Sequence, residues 1–141
     1  MNSASGPSRD WSGGLVAVVG GTVVVTGAML PWMSLFAGLQ PYAGVAGLYG
    51  RLVFAGGALA VLGGLAILAR PGRRLRFSVG GLGLALTAFA CWVLLGLLTT
   101  TRELGHHPML LARPGPGVFV VLAGALVVAA LVVPNRQRIS K

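Results

Sequence analysis

Residues 52–69 read LVFAGGALAVLGGLAILA and are followed at once by RPGRRLRF (70–77), so an apolar run of 18 residues is closed by Arg70, Arg73, Arg74 and Arg76. As a helix rising 1.5 Å per residue the run spans about 27 Å, close to the hydrocarbon thickness of a bilayer. Its apolar and small residues go all the way round the helix, whereas a helix of a soluble bundle needs a polar stripe. The arginines mark where such a helix leaves the apolar phase. The run predicts a transmembrane span, and the rest of the chain repeats its pattern.

Downstream, Phe77 to Leu98 is a second such block, stopped by Thr99, Thr100, Thr101, Arg102 and Glu103. Upstream, Gly13 to Leu30 is interrupted only by Thr22 and Thr26 and ends at Pro31 and Trp32; no A-x-A-like cleavage site follows it, so it is expected to stay as an uncleaved span. A fourth block, Val118 to Val133, has 16 residues and reaches only about 24 Å, so it must start within Pro114-Gly115-Pro116-Gly117, tilt little or sit in thin bilayer. The expected fold class is all-α, an integral membrane four-helix bundle with helices near 13–30, 52–69, 77–98 and 118–133. A flexible lead (1–12) precedes it and a basic tail (134–141) follows.

Composition agrees. Of 141 residues 55% are apolar and 9% charged, against about 25% charged in a soluble domain, and the mean hydropathy is +0.86. Eleven Lys and Arg against two Asp and Glu give a net charge of +9. Because these bases fall in short runs between apolar blocks, the expected partners are the bilayer and its anionic head groups, and not nucleic acid. Arg9, Arg70, Arg73, Arg74, Arg76, Arg136, Arg138 and Lys141 fall on one side of the four spans, and Arg51, Arg102 and Arg113 on the other. The positive-inside rule then puts both termini in the cytoplasm. Anionic-lipid contact is expected at Arg70, Arg73, Arg74, Arg76, Arg136, Arg138 and Lys141.

The two outward loops are apolar. The first, Pro31 to Gly50, carries Trp32, Phe36, Tyr42 and Tyr49 without a charge, and is expected to lie on the membrane or to pack back over the bundle. The second, Thr99 to Gly117, contains Thr100-x-x-Glu103 in the form of a capping box, suggesting a short surface helical turn. At an offset of 67 residues, Gly13-Gly14-Leu15 matches Gly80-Gly81-Leu82 and Gly57-Ala58-Leu59 matches Gly124-Ala125-Leu126, a weak sign of hairpin duplication.

Small residues let helix backbones approach closely where no hydrophobic force acts between helices. Ala17-x-x-x-Gly21, Gly56-x-x-x-Ala60-x-x-x-Gly64 and Gly81-x-x-x-Ala85 are the candidate packing faces, serving either the bundle itself or a partner. Cys91, the only cysteine, fits a small helix-packing residue better than a nucleophile. His106, His107 and Met109 are of ligand type, but adjacent histidines diverge, so no metal or other cofactor is expected. No ionisable residue falls within the middle of a span, which disfavours proton-coupled transport, and no Ser/His/Asp set supports catalysis.

With Leu30-Pro31-Trp32 after the first span, ARPGRRLRF (69–77) between the second and third, and Gly115-Pro116-Gly117-Val118 opening the fourth, the chain resembles small four-helix membrane proteins of actinobacteria and, more distantly, the tryptophan-associated transmembrane proteins. The resemblance covers about residues 13 to 133 and implies location and topology; it brings no catalytic residues. The expected function is non-enzymatic, as an accessory subunit of a larger membrane complex or a homo-oligomer acting through helix packing. The alternative is a small channel or carrier for a neutral or apolar solute, with Thr22, Thr26, Ser78 and Thr87 as pathway hydroxyls.

Overall fold

The computed structural model describes residues 11–35, 40–70, 72–104 and 113–133. Four helices dominate it: α1 (Trp11–Met29), α2 (Leu48–Ala69), α3 (Arg73–Leu104) and α4 (Pro116–Ala129), the last prolonged by a 3-10 turn, Ala130–Val132. The first three are long and apolar enough to cross a membrane; Pro116–Val132 is shorter. All-α is therefore the fold class. The lead at 1–10 and the tail at 134–141, with Arg136, Arg138 and Lys141, lie outside the described residues.

Helix ends follow local chemistry. Pro31 has no N–H to offer the Gly27 carbonyl four residues back, so α1 stops before it. Gly115 is the N-cap of α4 and Pro116 its first residue, where the missing N–H costs nothing. Two helices depart most from the sequence reading. Helix α2 begins a turn early, at Leu48, and α3 runs past Phe77–Leu98 at both ends. Once a helix is nucleated each added residue gains a hydrogen bond, and the arginines at its start are good helix formers. Thr100 and Glu103 accordingly lie in the last turns of α3, and do not begin a new helix.

The helices form a ring. Helix α1 packs against α2 and α4, and α3 closes the ring against α4 and, more loosely, α2. At one end the start of α1 meets the α2–α3 turn and the end of α4: a Cβ on Gly13 would lie 3.7 Å from both Arg76 Nε and a Leu131 methyl. This arginine end gathers Arg70, Arg73, Arg74 and Arg76, and Arg73 sits 5.7 Å over the Phe77 ring one turn on.

The opposite end is capped by a feature the sequence did not suggest. Strand β1 (Pro31–Leu35) pairs antiparallel with β2 (Gln40–Ala43) and, on its other side, with β3 (Arg113–Pro114), giving the order β2-β1-β3. Pairing of Met33 with Pro114 and Ser34 with Arg113 ties the two loops together. A register irregularity between Pro31 and Met33 marks a bulge at Trp32, and bulges re-aim side chains. The Trp32 indole turns inward, is 8% exposed, and its Nε1–H donates to the Gly27 carbonyl at 3.1 Å. It thus replaces the donor that Pro31 lacks. Of the two expectations for the first loop, its described part follows the second and packs over the bundle.

Candidate functional site

Small residues recur on α1 as adjacent pairs seven apart, Gly13-Gly14, Gly20-Gly21 and Gly27-Ala28. Neighbours on a helix point about 100° apart, so each pair feeds two seams. One seam faces α4. A Cβ on Gly20 would lie 3.0 Å from Gly124 O, and one on Gly124 would lie 2.8 Å from Gly20 O; Gly27 and Gly117 oppose each other in the same way, at 3.1 and 2.8 Å. The other seam faces α2, where Gly14 meets Gly64 O at 3.1 Å and Gly21 meets Gly57 O at 2.9 Å. On α2, the pairs Gly56-Gly57 and Gly63-Gly64 divide likewise. Gly57 and Gly64 receive α1, whereas Gly56 and Gly63 take Leu86 and Val79 of α3. Gly80 and Gly83 then set α3 against Val132 of the 3-10 turn and Ala129 of α4.

Of the packing residues expected from sequence, Ala17, Gly21, Gly56, Ala60 and Gly64 are buried inside this chain's own bundle. Gly81 and Ala85 are not: both are exposed on α3, and a Cβ on Gly81 would meet nothing within 4 Å. Neither is enclosed by the bundle. Spacing of four alone cannot distinguish an inward stripe from an outward one. Cys91 is likewise exposed on α3 and does not pack inside the bundle. Only 17% of the apolar window of α3 is buried, against 44% for α1 and 33% for α2.

The interior is apolar. No buried side chain among the described residues is polar or charged, and Val24, Val53, Val118, Val121 and Val128 are its largest fully enclosed members. The hydroxyls considered for a solute pathway do not converge. Thr22, Thr26, Ser78 and Thr87 each donate to the carbonyl four residues back in their own helix, at 2.8–3.1 Å. Thr22 and Thr26 border a shallow groove of about 330 Å³ with Val18, Val19, Val23 and Val120. His106, His107 and Met109 lie outside the described residues; among those described, no three His, Cys, Asp or Glu side chains group to hold a metal.

A larger cavity, about 790 Å³, opens at the sheet end between the loop preceding α2 and the last third of α3. Trp32, Met33, Tyr49, Trp92, Leu95 and Gly96 are among its walls. Tyr49, Phe89 and Trp92 form an aromatic cluster across α2 and α3, with centroids 5.7–6.0 Å apart and the Tyr49–Trp92 pair edge-on. The sequence reading placed Trp32 and Tyr49 at an interface and Phe89 and Trp92 within the third span, and had no signal for the cavity, which three separated segments build. No family model matches the chain, and comparison with curated proteins and with solved structures finds no match to it.

Proposed function

We propose that the protein is an integral membrane protein that spans the bilayer four times with both termini cytoplasmic. It works without catalysis, by helix packing, as an accessory subunit of a larger membrane complex or as a homo-oligomer. Its exposed side chains support the membrane reading: Leu62, Leu65, Leu84, Trp92, Leu95 and Leu126 are each at least half exposed, a surface suited to hydrocarbon and not to water. The arginine end would lie at the cytoplasmic head groups, where each base contributes on the order of 1 kcal/mol with anionic lipid.

The observation that carries the packing role is the uncovered face of α3. At the 67-residue offset Gly81 and Ala88 correspond to Gly14 and Gly21, the two glycines by which α1 receives α2. On α3 that column points outward. It therefore offers another membrane helix the kind of surface that α1 already uses. The alternative role, a carrier or channel for a neutral solute, has less support, since the described spans enclose no polar path.

The test is native mass spectrometry after mild-detergent extraction. Wild type is expected to carry a second copy or a stoichiometric larger partner. The Gly81→Leu, Ala85→Leu double variant, altered only on the outer face, is expected to lose it while keeping its thermal midpoint. A wild type that flies as a lone monomer, or a double variant that keeps its partner, overturns the proposal.

A further inference from the structure

The cavity at the sheet end is walled almost wholly by carbon, and two side-chain donors on its wall are already committed to backbone carbonyls. Trp32 Nε1 is committed to Gly27 O at 3.1 Å and Thr99 Oγ1 to Gly96 O at 2.8 Å. Its volume of about 790 Å³ falls in the roughly 300–1,000 Å³ range of small-molecule sites. Apolar cavities stay free of ordered water and take apolar guests. In a bundle embedded in a bilayer, as proposed above, the apolar guest nearest to hand is a lipid acyl chain.

Charge at the mouth narrows the choice. Arg51 N–H donates to the carbonyl of Gly47, the N-cap of α2, at 3.2 Å, and Arg102 lies three residues beyond Thr99 on α3; Gly47 and Thr99 both line the cavity. Residues three or four apart share a helix face. Both arginines are exposed, and Arg51 Nε reaches the Val45 carbonyl at 3.4 Å, which holds its stem against the turn bordering the cavity. Arg51 near the start of α2 and Arg102 near the end of α3 thus bring two exposed bases to the end of the bundle where the apolar cavity lies.

We propose that this cavity binds an acyl chain of an anionic phospholipid, with the negatively charged head group held by Arg51 and Arg102. The site rests on the membrane reading given above and extends it: besides a helix-packing face, the protein carries a lipid-selective pocket on its non-cytoplasmic side.

The test uses acyl-brominated lipids, which quench tryptophan on contact, with the full chain in vesicles. Two backgrounds serve: Trp11→Phe, which leaves Trp32 and the exposed Trp92, and Trp11→Phe with Trp92→Phe, which leaves only the buried Trp32. Brominated phosphatidylglycerol at low mole fraction in a phosphatidylcholine bilayer is expected to quench Trp32 saturably. Brominated phosphatidylcholine should need a mole fraction higher by about fivefold for each base engaged. Arg51→Gln with Arg102→Gln should remove that preference. Gly96→Phe, where a Cβ meets nothing within 4 Å and a ring can fill the cavity, should abolish the saturable Trp32 quenching with the fold intact. Quenching of Trp92 without Trp32 would overturn the pocket while leaving the protein in the membrane, with the cavity filled by the chain itself. Equal quenching by both lipids in wild type would overturn the anionic selectivity. Quenching of neither tryptophan would overturn the membrane reading on which the site stands.

Discussion

Gly124→Leu is expected to prevent α4 from seating on α1, whereas Gly81→Leu should leave stability within about 0.5 kcal/mol. A Cβ on Gly124 would stand 2.8 Å from Gly20 O and 2.9 Å from both Val24 N and a Val24 methyl. The first two are backbone atoms, so no rotamer change relieves them and the helices must part. Overpacking a core costs typically 1–3 kcal/mol, and here every rung of the α1–α4 seam shares the displacement. Gly124→Ala already introduces that Cβ and is expected within this range, and Gly124→Leu beyond its upper end. Unfolding in mixed micelles with increasing sodium dodecyl sulfate, followed by tryptophan fluorescence, measures both. A Gly124→Leu midpoint equal to that of Gly81→Leu would mean that the α1–α4 seam does not hold the bundle.

Trp32→Ala should be nearly as damaging, by about 3–5 kcal/mol. The ring lies against Gly44 and Gly117, so it joins the end of α1, the turn before α2 and the start of α4. Its removal also leaves the Gly27 carbonyl without the donor that Pro31 cannot supply. Trp32→Phe separates the two contributions: it keeps most of the contact and loses the hydrogen bond, at about 1 kcal/mol. The same micelle titration gives both values, and a Trp32→Ala variant as stable as wild type would remove Trp32 from the account of how the cap is held.

The helices were legible because their signals are local. Apolar runs of helical length, Pro31 after the first and Pro114 to Gly117 before the fourth, and the arginines between the second and third each act within a few residues. The packing was legible in kind but not in assignment. Small residues four apart mark Gly56 and Gly81 equally, yet one meets Leu86 and the other nothing. What decides is the antiparallel register, which pairs Gly20 with Gly124 across the whole chain and repeats every seven residues. The sheet was not legible for the same reason. Strand β1 finds its partner β3 about eighty positions away, and neither proline-containing segment has a strand's alternation. The inward turn of Trp32 follows from that pairing, and the cavity in turn depends on Trp32, Tyr49 and Trp92 arriving from three elements.

The proposed membrane topology underlies both the packing role of α3 and the proposed lipid pocket, and cysteine accessibility in intact cells tests it most directly. In a Cys91→Ser background, single cysteines at Ser3, Gln40, Gly105 and Ser140 are treated with a membrane-impermeant thiol reagent. Four spans with eight bases on the cytoplasmic side and three on the other predict labelling at Gln40 and Gly105, and protection of Ser3 and Ser140 until the membrane is permeabilised. Labelling of Ser3 or Ser140 in intact cells, or protection of Gln40 and Gly105, would contradict the account.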